Sequence, residues 1–323
     1  MIQPKNIFSI LNNELENLNI NLTNMIGARH PILYAASQYL FNAGGKRIRP
    51  IIIMLISQAT SNNSDITSSH KRLAEITEII HTASLLHDDI IDECTMRRGI
   101  NTVHNTFNTK IAVLAGDFLF AQSSWYLANL NNLDVVKTIS KVITDFAEGE
   151  VRQGLMNFDI RMSIHQYIEK SFYKTASLIA ASCKSAAILN KNNIKQQNAC
   201  YIYGKHIGLA FQIIDDILDI TGSTQSLGKS SSSDLKNGHF TAPVLFALID
   251  FPLLQTIINQ EFENEQDMFR ALNIIKQSQG IKKAKDLAEE HIQASLNNLK
   301  ILTNIAQANF LLIISKYILE RIY

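Results

Sequence analysis

Asp88, Asp89 and Asp92 stand in the stretch HTASLLHDDIIDECTMRRG, residues 81–99, on an otherwise apolar helical pattern. At about 100° per residue, Asp88 and Asp92 lie one turn apart and Asp89 and Asp92 are also neighbours, so the carboxylates crowd one strip of a helix. Like charges this close raise one another's pKa unless a cation satisfies them. Oxygen ligands suit Mg²⁺, which retains waters and bridges to substrate phosphates. One such strip reads as readily as a solvated helix end. The same spacing recurs in FQIIDDILD, at Asp215, Asp216 and Asp219. Two strips facing each other across a helical bundle would hold several Mg²⁺ ions around one polyanionic group, a diphosphate.

Basic residues accompany the acids. Arg97 and Arg98 follow the first strip, and GGKRIRP near the start supplies Lys46, Arg47 and Arg49. Guanidinium forks match phosphate oxygens in pairs. Neither a GxxxxGK[ST] loop nor a GxGxxG turn is present, so metal rather than backbone amides would cradle the phosphate. Glu78 and His81 form a Glu-x-x-His pair of the kind used in di-iron bundles, but no second pair occurs and six aspartates are the wrong ligands for that site.

The elements that must position these groups read as helices. Gly 13 and Pro 5 in 323 residues fall well below average usage of about 7% and 5%. With 46% apolar and 18% charged residues, the chain has material for a large core and is expected to be one all-α domain spanning 1–323. Polar breaks at 58–69, 129–134, 190–198 and 221–238 separate the periodic segments, and the serine run at 230–233 reads as a surface loop. The formal charge of +1 leaves no global field for nucleic acid. Three cysteines without metal-site spacing fit a reducing compartment. The apolar runs fall short of a bilayer span, and the amphipathic, acid-containing N-terminus fits neither a secretory signal nor a transit peptide.

GGKRIRP, LLHDDIIDECTMRRG, YKTASLIAASCKSAA and FQIIDDILD, in this order, resemble the trans-isoprenyl diphosphate synthases, which elongate allylic diphosphates with isopentenyl diphosphate. VLAGDFLFAQSSWYLANL and SDLKNGHFTAPVLFAL resemble most the long-chain group that builds quinone side chains in cyanobacteria and plastids. The resemblance implies an all-α bundle around a deep central cavity, usually a homodimer. It implies Mg²⁺ on Asp88, Asp89, Asp92, Asp215, Asp216 and Asp219. It assigns the allylic diphosphate to Arg97, Lys174, Thr175, Gln212 and Lys229, and isopentenyl diphosphate to Lys46, Arg49, His81 and Arg98. Catalysis would rest on Asp88, Asp92, Arg97, Lys174, Asp215 and Lys229 stabilising the departing diphosphate. A plastid stroma setting is favoured over a bacterial cytoplasm, with peripheral membrane contact for releasing a long product.

One position departs from the pattern. The family often has Asp, two residues, then Gly-Lys after the second strip; here Asp234 is followed by Gly238 and His239. Lys236 is a candidate substitute, and a His239 contact to phosphate would be pH-dependent. Below the first strip stand Ala83 and Ser84, where aromatic residues mark short-chain members, so small ones imply an open path for a long product. Phe118 and Phe120 are alternative floors. A geranylgeranyl diphosphate synthase and a non-catalytic partner subunit are the competing readings. A terpene cyclase is disfavoured by the second DDxxD and by GGKRIRP.

Overall fold

The computed structural model describes residues 11–222, 232–262, 265–302 and 305–321. The fold is 78% helical with almost no strand. In chain order the helices are α1 (Asn12–Met25), α2 (Pro31–Asn42), α3 (Ile48–Thr60), α4 (Ser68–Ile91), α5 (Val103–Phe107), α6 (Thr109–Ala128) and α7 (Leu133–Leu155). They continue as α8 (Ile164–Ser171), α9 (Ser177–Leu189), α10 (Ile194–Thr221), α11 (Ser233–Lys236), α12 (Ala242–Asp250), α13 (Pro252–Ile258), α14 (Glu265–Gln277), α15 (Gly280–Leu299) and α16 (Ile305–Glu320). A two-residue antiparallel hairpin, β1 (Met96–Arg97) and β2 (Ile100–Asn101), follows α4. Sequence periodicity had no means of showing so short a ladder.

Helix boundaries differ from the polar breaks for a definite reason. Asn132 and Asn193 use their side chains to accept the backbone N–H of Val135 and Gln196, satisfying donors that a helix start leaves open. Residues 133–134 and 194–198 therefore belong to α7 and α10. Thr67 and His70 cap α4 reciprocally, so only 61–67 remain as the break there. Ser232 is 4% exposed, against the expected surface loop at that position; residues 230–231 of the serine run lie outside the described residues.

The buried apolar side chains of α1 through α16 form one cluster. α10 packs most extensively against α15 and α9, and α4 against α6. α6 is apolar and long enough to cross a bilayer by length and composition, with a mean hydropathy of 1.2, contrary to the expectation that no apolar stretch reaches that length. Its buried side, Ala112, Ala115, Gly116, Leu119, Ser123 and Leu127, lies in the bundle, where it is an ordinary core face.

Contact between α9 and α10 is set by small residues. A Cβ on Gly204 would stand 2.8 Å from the Ala180 Cα, and one on Gly208 would stand 2.7 Å from the Ala176 Cα. Real side chains do not approach that closely, so both positions must lack one for the helices to meet. Gly208→Ala is expected to lower unfolding free energy by about 1–3 kcal/mol through overpacking, measured by urea denaturation.

Candidate active site

α4 ends at Ile91, and Asp92 is its C-cap. The first strip therefore sits where the chain turns out of the helix, with Asp89 1% exposed and Asp88 half-buried. The hairpin folds Arg97 back so that its Nε donates to Asp89 Oδ1 at 2.6 Å. The other oxygen, Asp89 Oδ2, is buried without a hydrogen-bond partner. Opposite, the helical run through α8 and α9 is interrupted by a π-turn at Phe172–Ala176, a feature that often marks functional sites. It carries Lys174, whose Nζ lies 2.9 Å from Glu150 Oε1 on α7 and 3.8 Å from Asp92 Oδ2. Burial pushes the Asp88 carboxyl up to about 7; Lys174 opposes this, and Glu150 and Asp92 reinforce it. Against the downward pull of burial, Asp88, Asp92 and Glu150 together raise the Lys174 ammonium.

The second strip lies near the end of α10. Asp216 uses both oxygens: Tyr167 OH donates to Oδ2 at 2.6 Å and Gln212 Nε2 donates to Oδ1 at 2.7 Å. Gln212 in turn accepts from Thr175 Oγ1 at 2.6 Å, so the close α9–α10 contact delivers a bond across the site. Burial, with Asp234 adding to it, brings Asp216 up to about 7. Asp219 is 2% exposed. Asp215 pairs with Arg321, just past α16, at 2.8 Å. Lys229 lies outside the described residues.

A pocket of cations stands beside Asp215. Arg47 adopts a left-handed backbone with φ 49° and is buried, donating to Glu78 at 2.6 Å, Asn19 at 3.1 Å and the Phe41 carbonyl at 3.2 Å. It is thereby committed to structure, and Glu78 is committed with it, which removes the Glu-x-x-His pair as a metal site. The lock holds the loop so that Arg49 Nη1 donates to His81 Nε2 at 2.9 Å, placing the imidazole proton on Nδ1. Burial, then Arg49, Arg98, Arg97 and Arg47, keep His81 well below its ordinary value, so it is neutral at pH 7. Arg98 donates to the Gly44 carbonyl. Lys46 is exposed, 5.6 Å from the Tyr317 ring centroid.

The donor set fits a hard divalent cation. Every candidate ligand is a carboxylate oxygen, and Asp89 Oδ2 and Glu150 Oε2 are buried without hydrogen-bond partners. Among the described residues no three acids or histidines converge on one point. Mg²⁺ takes one or two carboxylates and completes its shell with water and substrate phosphate.

Residues 30–275 match the family described as polyprenyl synthetase. The chain belongs to that family. As a polyprenyl synthetase family member it is a trans-prenyltransferase. A prenyl transferase of Porphyra purpurea is 58% identical over the full length of both chains. Solanesyl diphosphate synthase 2, chloroplastic, of Arabidopsis thaliana is 49% identical over 93% of this chain and 73% of its own. The solved polyprenyl synthase from Caulobacter crescentus, complexed with calcium and isoprenyl diphosphate, superposes with a TM-score of 0.92 at 29% identity, covering 99% of this chain and 98% of its own.

Sequence reasoning missed Glu150, Tyr167, Lys170 and Arg321. Each is a single residue on an ordinary helical pattern, and only the fold brings it to the aspartates.

In the metal-free protein a raised carboxyl favours folding when protonated, so the contribution of Asp216 is full at low pH and is lost as pH rises towards 7. Asp216→Asn is expected to be more stable than wild type at pH 8, with the gap narrowing towards pH 5, measured by urea unfolding in chelator.

Proposed function

We propose that this chain condenses isopentenyl diphosphate head-to-tail with an allylic diphosphate to make a long-chain all-trans-polyprenyl diphosphate, the side chain of plastoquinone or another prenylquinone. One observation carries the reading: a carboxylate site and a pocket rich in cations stand side by side, with Asp215 bearing on Arg49. Two diphosphates of different demands, one held through metal and one through side chains alone, fit that pair of sites.

Asp88, Asp92, Asp215 and Asp219, with Asp89 and Asp216 behind them, would hold Mg²⁺. When bound, the metal neutralises charge developing on the departing allylic diphosphate. Lys174 and Lys229 add cationic donors there, while Thr175 and Gln212 position Asp216. Arg97 fixes Asp89 in place. Arg49, Arg98 and Lys46 receive isopentenyl diphosphate, and neutral His81 offers its Nδ1–H as a further donor. The isopentenyl double bond then attacks the allylic cation. The released diphosphate takes the final proton, so no side chain is assigned as base.

Ala83, fully buried, and Ser84, half-buried, line α4 below Asp88. Their small volume supports an open route for the growing chain. The family relatives from plastids, algae and cyanobacteria support a plastid stroma setting. A long apolar product supports peripheral membrane contact at release. The apolar outer side of α6, where Val113, Leu114 and Trp125 are 39%, 45% and 60% exposed, supports a homodimer.

Purified protein with Mg²⁺, labelled isopentenyl diphosphate and farnesyl or geranylgeranyl diphosphate is expected to give a ladder ending between octaprenyl and decaprenyl. A stop at geranylgeranyl diphosphate selects the short-chain reading, and no incorporation selects the partner-subunit reading. Ala83→Phe is expected to shorten the product by several units, read from the same ladder; an unchanged length moves the floor to Phe118 or Phe120.

A further inference from the structure

Lys170 belongs to neither aspartate strip and to none of the basic motifs, yet it is the one buried lysine among the described residues, 8% exposed. It sits in the last turn of α8, directly before the π-turn that carries Lys174. Its Nζ is 5.9 Å from the ring centroid of Tyr167, the residue that donates to Asp216. Burial lowers the ammonium's pKa, Asp216, Asp234 and Glu150 attract its charge, and Lys174 opposes them. Among the described residues it makes no hydrogen bond or ion pair, whereas Lys174 is held by Glu150. Removing an ammonium from water costs several kcal/mol unless an anion answers it. A charge buried here without a close partner is placed for an anion that arrives.

His239 marks the gap that this charge fills. Its backbone N–H donates to the Asp234 carbonyl at 2.8 Å, which fixes it beside the second strip. Its surroundings are mapped by Asp92, Asp234, Lys170 and Lys174, all of which bear on its ring. Burial lowers it from the ordinary histidine value despite Asp92 and Asp234, and both lysines push the same way as burial. Lys236, the nearer candidate in sequence, is exposed at the end of α11.

We propose that Lys170 is a binding residue for the allylic diphosphate, delivering from α8 the positive charge that a lysine at position 239 would deliver from the loop after the second strip. The proposal rests on the prenyl-transfer reading above. A charge reaching the same phosphate from a helix end rather than a loop is held by a more rigid element.

Lys170→Met keeps the apolar stem and removes the charge. It is expected to raise KM for farnesyl diphosphate about ten- to a hundredfold, as loss of one charge-assisted bond implies, and to leave KM for isopentenyl diphosphate unchanged. Adding His239→Lys to that variant is expected to restore most of the loss, which a purely structural role for Lys170 would not allow. Lys170→Arg, which keeps the charge, serves if the methionine variant does not fold, and is expected to stay near wild type. Lys236→Ala is expected to behave as wild type. An unchanged allylic KM in Lys170→Met, or a loss that His239→Lys does not reduce, overturns the assignment. Wild-type protein that elongates no primer overturns the prenyl-transfer reading instead, so the two failures are distinct.

Discussion

Lys174 ties together the elements on which the rest of the site depends. Its ammonium reaches Glu150 on α7 and Asp92 at the end of α4 from a π-turn between α8 and α9. An uninterrupted α-helix would point this side chain elsewhere, so the local departure from regular hydrogen bonding aims the charge. The same turn presents Thr175 to Gln212, and Gln212 to Asp216. A single short segment therefore couples the two aspartate strips, which are far apart in sequence. Burial raises Asp88 and Asp216 to about 7, with Glu150 and Asp92 adding to it at the first and Asp234 at the second.

The basic pocket obeys the opposite logic. Arg47, the central basic residue of GGKRIRP, is spent on Glu78, Asn19 and a backbone carbonyl, and its left-handed backbone turns the chain into α3. Its neighbour Lys46 is exposed, and Arg49 donates to His81. His81 is kept neutral by the cations around it, so it adds a hydrogen-bond donor without adding repulsion. Asp215 touches both halves, through Arg321 and through the field of Arg49.

Much of this was legible in the sequence because the chemistry is concentrated in short motifs. Two DDxxD strips, the run around Lys174 and the GGKRIRP loop each carry their spacing openly, and low Gly and Pro content made an all-α fold the simplest outcome. Glu150, Tyr167 and Arg321 were not legible, since each is an isolated polar residue, on a helix or just past one, whose partners are set by packing. Boundaries were displaced where asparagine began a helix rather than filling a loop. The substitute for the lysine absent at 239 was sought nearby in sequence, at Lys236; Lys170, buried beside Tyr167, carries no motif that would have drawn attention to it.

The central claim is that both strips act as one diphosphate site through a divalent metal. Titration calorimetry of inorganic diphosphate into the protein, with and without Mg²⁺, addresses it directly. The account predicts tight binding only when metal and diphosphate are both present, each strengthening the other by the same factor, and loss of that binding in Asp88→Ala and in Asp215→Ala alike. Diphosphate that binds equally well in chelator, or that tolerates removal of either strip, would contradict it.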